Sequence, residues 1–167
     1  MRKFFAILLV LIAFNVFASD RVALVIGNAA YQIDPLKNTL NDSHDIELAL
    51  KGLGFKVLLV QDADKKKMDQ AIGDFIAQLK ADTVSLFYYA GHAVQFNNIN
   101  YLLPIYSIPA ISENLKEISD DEKIQRLQEE AISSKDLIDQ MANSNSQLNL
   151  IFLDACRENP LPGVSEK

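Results

Sequence analysis

The sequence predicts an α/β fold of three layers, in which a mainly parallel β-sheet lies between helices. Apolar runs typical of strands buried on both faces alternate along the chain with amphipathic helical patterns. This alternation implies crossover connections that place helices on both faces of the sheet. The chain has 167 residues, of which 49% are hydrophobic and 23% charged, a composition that suits one globular domain with a proper core. We expect that domain at residues 20–160, followed by a tail at residues 161–167.

Residues 1–19 are expected to be an export signal and not part of the fold. Arg2 and Lys3 precede an apolar run, residues 4–14, that is too short to span a bilayer comfortably. Val16-Phe17-Ala18 then supplies modest and small side chains where a signal peptidase would cut. An uncleaved N-terminal anchor is the alternative. We therefore expect the protein to be exported, to the periplasm or to the extracellular space.

The first half of the chain is predicted to form three strands and two helices. Continuous apolar runs mark the strands, which lie at residues 22–26, 57–60 and 83–89. The first helix is expected to end at Gly54 and to present one apolar face, made of Ile46, Ala49, Leu50 and Leu53. Its N-terminal cap is expected among Asn41, Asp42 and Ser43. The second helix should begin after Asp64 and bury an apolar stripe, made of Met68, Ala71, Ile72, Phe75, Ile76 and Leu79.

The second half is expected to contain a charged excursion, a short helix and a last strand. The stretch 113–130 is dense in charge of both signs, which predicts an exposed helix or a mobile excursion. Ser134 should cap a short helix that buries three apolar residues, Leu137, Ile138 and Met141. The run that begins at Leu148 predicts a strand buried on both faces, and it ends in Asp154-Ala155-Cys156.

His92 and Cys156 are predicted to lie at the same edge of the sheet. The third strand is expected to end at His92, and the fourth at Cys156. If these strands are neighbours, about 4.8 Å apart, an imidazole meets a thiol, which is the geometry of a Cys-His dyad. Cys156 is the only cysteine, and in an exported protein an unpaired cysteine indicates a reactive thiol or an intermolecular bridge. The alternatives are a cysteine that fills core space and a structural histidine.

The net charge and the absence of certain sequence motifs argue against several other classes of function. The formal net charge of −6 does not fit a nucleic-acid-binding protein. Gly27-Asn28-Ala29-Ala30 after the first strand is not a glycine-rich phosphate-binding motif, so a plain nucleotide- or flavin-binding domain is disfavoured. The acids of the stretch 113–130 lack the spacing of an EF-hand. We therefore predict no cofactor and no metal site, and we leave calcium dependence open.

Four blocks, in order along the chain, carry a family resemblance. They are Ala23–Tyr31 with Leu40-Asn41-Asp42, Tyr88–His92, Asn100–Pro104 and Leu153–Pro160. With these blocks, the chain resembles the caspase-type cysteine peptidases of clan CD, and is most similar to their bacterial metacaspase-like branch. The resemblance implies a caspase-like fold of three α-β-α layers.

The resemblance also implies a role for each matching residue. Cys156 would be the nucleophile and His92 the base that later protonates the leaving amine. The backbone N–H groups of Ala93 and Cys156 would bind the oxyanion. Asp42 and Asp154 would line the specificity pocket and select a polypeptide with Arg or Lys before the scissile bond. The expected function is therefore an exported cysteine endopeptidase that cleaves after basic residues.

Two departures from the family pattern support an alternative. Ala93 stands where family members usually have glycine after the histidine, so a methyl group enters a place where backbone approaches substrate. The smaller C-terminal, small-subunit part of the caspase fold is also expected to be absent from this chain. The alternative function is a catalytically impaired caspase-like module for binding or scaffolding. We further expect an exposed sheet edge beside the fourth strand, which would self-associate or pair with a partner.

Overall fold

The computed structural model describes residues 19–156 and residue 161, and for Cys156 it describes the backbone only. The predicted export signal, except Ser19, and the predicted tail, except Leu161, lie outside the described residues. Across 19–156 there is no helix with the length and apolar character needed to cross a membrane.

The described chain folds into six strands and five helices. The strands are β1 (Arg21–Gly27), β2 (Lys56–Gln61), β3 (Val84–Phe96), β4 (Ile99–Leu102), β5 (Ile132–Ser133) and β6 (Leu148–Cys156). The helices are α1 (Thr39–Gly52), α2 (Lys65–Ile76), α3 (Ser107–Ser112), α4 (Asp120–Glu130) and α5 (Ser134–Asn143).

The sheet is mainly parallel, as the sequence predicts. Its path runs β2-β1-β3-β4-β5, and β6 pairs with β3 beside this path. Strands β2, β1, β3 and β6 are mutually parallel, whereas β4 and β5 are antiparallel additions that the sequence did not predict. Strand β3 is therefore the central element, because β1, β4 and β6 all pair with it.

Helices cover both faces of the sheet, which confirms the three-layer architecture. Alternate residues of β1 point to opposite faces, as in any strand. Val22, Leu24 and Ile26 pack in one cluster with α2 and α5, whereas Ala23 and Val25 pack in another with Leu50 of α1. Helix α2 matches its prediction, since Met68, Ala71, Ile72 and Phe75 are buried and Asp64 caps it by accepting a hydrogen bond from the N–H of Lys67 at 2.8 Å.

A separate apolar cluster, here called the hairpin cluster, forms where β3 runs on into β4. Its buried members are Tyr31, Val94, Phe96, Tyr101, Leu103, Ile108, Ile111, Leu115, Leu127, Ala131 and Leu161. Helix α4 contributes Leu127, which is fully buried, and begins with a capping box between Ser119 and Glu122. Residues 120–130 of the charged stretch thus form a capped, mostly exposed helix that anchors this cluster through Leu127. This is the first of the two alternatives expected from the sequence.

Strand β3 does not end at His92 as predicted but continues to Phe96. Asn97 and Asn98 follow with φ angles of 48° and 60°, which asparagine tolerates better than most residues. Two such residues form the kind of tight turn whose twist suits a hairpin, and the chain returns as β4. His92 therefore lies inside a long strand, at the place where parallel pairing gives way to antiparallel pairing.

Helix α1 is rotated relative to its predicted face. It begins at Thr39 after Asn38, earlier than the predicted cap, and it buries Ser43, Glu47 and Leu50 while Leu53 is 60% exposed. Close packing against Gly27 explains the difference. A Cβ atom built on Gly27 would collide with the Ser43 side chain, so α1 approaches the end of β1 through two small residues.

Within the described part of the chain, β6 lies at the edge of the sheet, as expected, but the prediction that it is buried on both faces is wrong. Among the described strands it pairs with β3 only. Three of its apolar side chains are exposed, namely Leu148, Phe152 and Leu153. Helix α1 packs on β1, β2 and β3 and leaves this part of the sheet open. On α5, Ile138 is likewise 48% exposed and not buried as predicted, although Leu137 and Met141 are buried.

Candidate active site

The register between β3 and β6 brings His92 and Cys156 together. The two strands are parallel neighbours, and the Cα atom of His92 is paired with that of Cys156 at the carboxyl end of β6. Directly paired residues of adjacent strands project to the same face of a sheet, with strands about 4.8 Å apart. The two strands are thus neighbours, which is the condition on which the expected Cys-His dyad depends. The catalytic roles of the two residues stay predictions.

The loop after β1 orients the imidazole of His92. Its Nε2 atom lies 2.7 Å from the backbone carbonyl oxygen of Asp34. A carbonyl oxygen can only accept, so Nε2 carries the proton and the neutral ring leaves Nδ1 as the basic nitrogen. Nδ1 is buried and has no hydrogen-bond partner among the described residues. The ring is therefore held in one tautomer, and no described side chain or backbone group donates to its acceptor nitrogen.

Tyr31, in the same loop, contacts His92 in two ways. Its hydroxyl accepts a hydrogen bond from the backbone N–H of His92 at 3.0 Å and donates one to the carbonyl of Leu103 at 2.9 Å. Its ring lies against the imidazole, with centroids 4.5 Å apart and planes tilted by 55°. Burial raises the pKa of Tyr31 to about 12, so the hydroxyl keeps its proton at neutral pH.

Because residue 91 is glycine, the hydroxyls of Tyr31 and Tyr89 can both lie close to the backbone of His92. The hydroxyl of Tyr89 donates to the carbonyl of His92 at 2.7 Å and lies 3.1 Å from the hydroxyl of Tyr31. A Cβ atom on Gly91 would come within 2.5 Å of the Tyr89 hydroxyl and 2.7 Å of the Tyr31 hydroxyl. Residue 91 therefore has to be glycine for this arrangement.

Polar contacts from the end of β2 fix the loop that carries Tyr31 and Asp34. One carboxylate oxygen of Asp62 accepts from the N–H groups of Ala29 and Ala30 at 2.8 and 2.9 Å. Sequence reasoning missed Tyr31, Asp34 and Asp62 as parts of the site. Asp34 contacts Nε2 of His92 through its backbone carbonyl, which leaves no signature in residue type, and its carboxylate lies 3.8 Å from the same nitrogen. Tyr31 ends one of the blocks that carry the family resemblance, and that block was the one signal in the sequence.

The predicted acids Asp42 and Asp154 lie around one tyrosine on the α1 side of the sheet. The hydroxyl of Tyr88 donates to a carboxylate oxygen of Asp154 at 3.1 Å. Burial, and then the hydrogen bond and charge of Asp154, raise the pKa of Tyr88 above its ordinary value, and the charge of Asp42 adds to this. Both carboxylates belong to exposed residues, and neither forms an ion pair within the part of the chain that the structure describes.

Ala93 is half-buried and pairs with Leu102 of β4, so it is the first residue of the antiparallel segment. Its assignment to an oxyanion site, with the N–H of Cys156, stays a prediction. Over residues 19–156 and 161, no group of three or more His, Cys, Asp or Glu residues is arranged to hold a metal ion.

Comparison with known proteins agrees with this architecture. Residues 20–167 match the family model described as "Caspase domain". The chain therefore belongs to the caspase-domain family and is a caspase-like peptidase or a related module of that family. The finer resemblance, to the bacterial metacaspase-like branch, stays a prediction.

Among individual proteins, the chain is 29% identical over 143 residues to the human mucosa-associated lymphoid tissue lymphoma translocation protein 1. The homolog of that protein from Mus musculus matches to the same extent. Each alignment covers 84% of this chain, which spans only about 15% of the length of these relatives.

Proposed function

We propose that this protein is a cysteine endopeptidase in which Cys156 is the nucleophile and His92 the general base. The observation that carries the proposal is the direct pairing of these residues on neighbouring parallel strands, with the Nδ1 atom of His92 left free to accept a proton. Nδ1 takes the thiol proton of Cys156, and the thiolate attacks the peptide carbonyl carbon. The tetrahedral intermediate collapses to a thioester as the leaving amine takes the proton from His92. Water, deprotonated by His92, then hydrolyses the thioester.

We further propose that Asp42 and Asp154 select a basic residue before the scissile bond. Both carboxylates are exposed on the side of the sheet that α1 leaves open at β6, and both act electrostatically on Tyr88. No described cation neutralises them, so an Arg or Lys side chain of a substrate supplies the missing partner. A guanidinium bound by a carboxylate forms strong charge-assisted hydrogen bonds.

Fluorogenic peptides test both parts of the proposal. The full chain is incubated with peptides that differ only in the residue before the reporter group, Arg, Lys, Asp or Leu, with and without calcium. We expect turnover of the Arg and Lys peptides, abolished by Cys156→Ala and by His92→Ala. His44→Ala is the matched control, because His44 is the other histidine, has an exposed side chain and, among the described residues, forms its ion-pair contact with Glu47, away from the β6 edge. Turnover that survives Cys156→Ala contradicts the nucleophile, and equal cleavage of all four peptides contradicts the acidic pocket.

A caspase-like binding module is the second candidate, and one observation favours it. The side chain of His92 is only 1% exposed, beneath Tyr31 and Asp34. In such a module the thiol of Cys156 reacts with iodoacetamide at the rate of a free cysteine, whereas an activated thiolate reacts much faster. The alkylation rate of the native chain, with and without His92→Ala, therefore separates the two candidates.

Two further proposals concern the location of the protein and its oligomeric state. We propose export because residues 1–19 have the sequence pattern of a signal peptide. Fractionation of cells that express the full chain tests it by asking whether the protein appears outside the cytoplasm. Self-association at β6 follows from the edge position of that strand and from the exposed side chain of Phe152. Sedimentation at increasing concentration tests it, with Phe152→Lys expected to keep the chain monomeric.

A further inference from the structure

We propose that Tyr31 is a positioning residue that fixes the catalytic geometry of His92. This inference deepens the proposed function and, as far as activity is concerned, rests on it. No residue of the loop after β1 carries a chemical role in the proposed reaction. Four contacts nevertheless connect that loop to His92. Tyr31 supplies two of them, and Asp34 supplies the other two through its backbone carbonyl and through its carboxylate, which lies 3.8 Å from Nε2.

The first contact holds the backbone of His92. The N–H of His92 donates to the hydroxyl of Tyr31 at 3.0 Å, although this residue lies within a strand, where N–H groups ordinarily pair with a neighbouring strand. Leu103 pairs with the carbonyl of His92 at 2.9 Å, and the Tyr31 hydroxyl donates to the carbonyl of Leu103. The hydroxyl thus takes the place of a missing ladder partner where β3 changes from parallel to antiparallel pairing.

The second contact limits rotation of the ring. The Tyr31 ring packs on the imidazole at a centroid distance of 4.5 Å, and both residues are almost fully buried. The third contact, from Nε2 to the carbonyl of Asp34, comes from the same loop only three residues further on. The ring face, the backbone N–H and Nε2 are therefore all held from one short segment.

This segment is fixed from outside the site. Asp62 accepts hydrogen bonds from Ala29 and Ala30, and the N–H of Leu36 donates to the carbonyl of Ala29 at 3.0 Å. Tyr31 therefore contacts His92 from a loop whose backbone is held in place by hydrogen bonds. A general base held by packing and hydrogen bonds keeps the reacting atoms aligned, whereas a small displacement costs rate and leaves substrate affinity unchanged.

Two substitutions distinguish the contribution of the Tyr31 hydroxyl to kcat from that of the Tyr31 ring. Tyr31→Phe keeps the ring and removes the hydroxyl, and Tyr31→Leu removes both. We expect kcat to fall by about 10-fold in Tyr31→Phe and on the order of 100-fold in Tyr31→Leu. We expect KM for an Arg peptide to stay within about 2-fold of the native value, because uniform binding is not affected. Tyr101→Phe is the matched control, since Tyr101 is a buried tyrosine that makes none of these contacts.

Nitrogen-15 NMR of the histidine rings gives a readout that does not depend on peptidase activity. The protein has only two histidines, and His44→Gln identifies the signals of His92. In the native chain we expect a single neutral tautomer with the proton on Nε2. In Tyr31→Leu we expect a mixture of tautomers, while Tyr101→Phe retains the native spectrum.

The outcomes separate this inference from the proposed function. If the native chain cleaves no peptide but Tyr31→Leu disturbs the His92 tautomer, the proposed function fails and the positioning role stands. If the native chain is active, and both Tyr31 variants fold with native kcat and native His92 signals, the positioning role is overturned. A drop in kcat that is accompanied by an equal loss in Tyr101→Phe also overturns it, because the effect then belongs to the hairpin cluster as a whole.

Discussion

The substitution Gly91→Ala is expected to destabilise the fold by about 3–5 kcal/mol. The added methyl carbon would lie 2.5 Å from the Tyr89 hydroxyl, 2.7 Å from the Tyr31 hydroxyl and 2.8 Å from the Cζ atom of Tyr89. Both rings are buried, so they cannot move away freely. Overpacking of this kind costs about 1–3 kcal/mol. The displaced hydroxyls also lose their hydrogen bonds to the carbonyls of His92 and Leu103, at about 1 kcal/mol each.

Urea unfolding followed by far-UV circular dichroism measures this change, since the chain contains no tryptophan to report by fluorescence. Gly73→Ala is the matched control, because Gly73 is exposed within α2 and a Cβ atom there meets nothing within 4 Å. The control should stabilise the fold by about 0.5–1 kcal/mol, as alanine favours a helix over glycine. A free energy of unfolding for Gly91→Ala within about 0.5 kcal/mol of native would refute the assignment of Gly91 to a close approach.

Three further predictions concern the cap of α4, alkaline stability and the acidic pocket. Ser119→Ala should lower the free energy of unfolding by about 1 kcal/mol, because it removes the capping box, and no loss in a urea titration would contradict that cap. The pKa of Tyr31 is raised in the folded state, so the contribution of Tyr31 to the free energy of unfolding is fully present below pH 10. Up to about 3 kcal/mol of that free energy is lost as the pH rises from the ordinary pKa of 10.0 to about 12. Tyr31→Phe should therefore lose less stability than the native chain over that interval, and equal losses would show that Tyr31 does not titrate there. Tyr88→Phe removes the hydroxyl that holds the carboxylate of Asp154, so that this carboxylate can rotate. KM for an Arg peptide should then rise about 3- to 10-fold with kcat unchanged, since one such hydrogen bond at an exposed carboxylate is worth about 1 kcal/mol. An unchanged KM would show that Asp154 does not bind the substrate.

The parallel part of the fold was predictable because its signals are local. Continuous apolar runs marked β1, β2, β3 and β6, and the stripe from Met68 to Phe75 marked α2. These features depend on residues close together in sequence, whose periodicity directly reports which face is buried. The pairing of His92 with Cys156 was expected only on the condition that their strands are neighbours, because it joins strands that are far apart in sequence.

The features that the sequence did not reveal depend on tertiary contacts. Helix α1 shows a weak apolar pattern, and its orientation is set by the collision that any side chain at Gly27 would cause with Ser43. The side chains of β6 are exposed because α1 leaves this part of the sheet open. The sequence did not reveal this, because an apolar run looks the same whether or not a helix covers the strand. The support of His92 by the carbonyl of Asp34 uses a backbone atom that every residue possesses.

The order of the strands along the chain has a consequence for when the site comes into existence. His92 lies in β3, 61 residues after Tyr31 and 64 residues before Cys156 (156 − 92). Every pairing that builds the candidate site is therefore long-range, and such pairings are slow compared with local structure formation. We expect the candidate site to form late in folding, only when β1, β3 and β6 have come together.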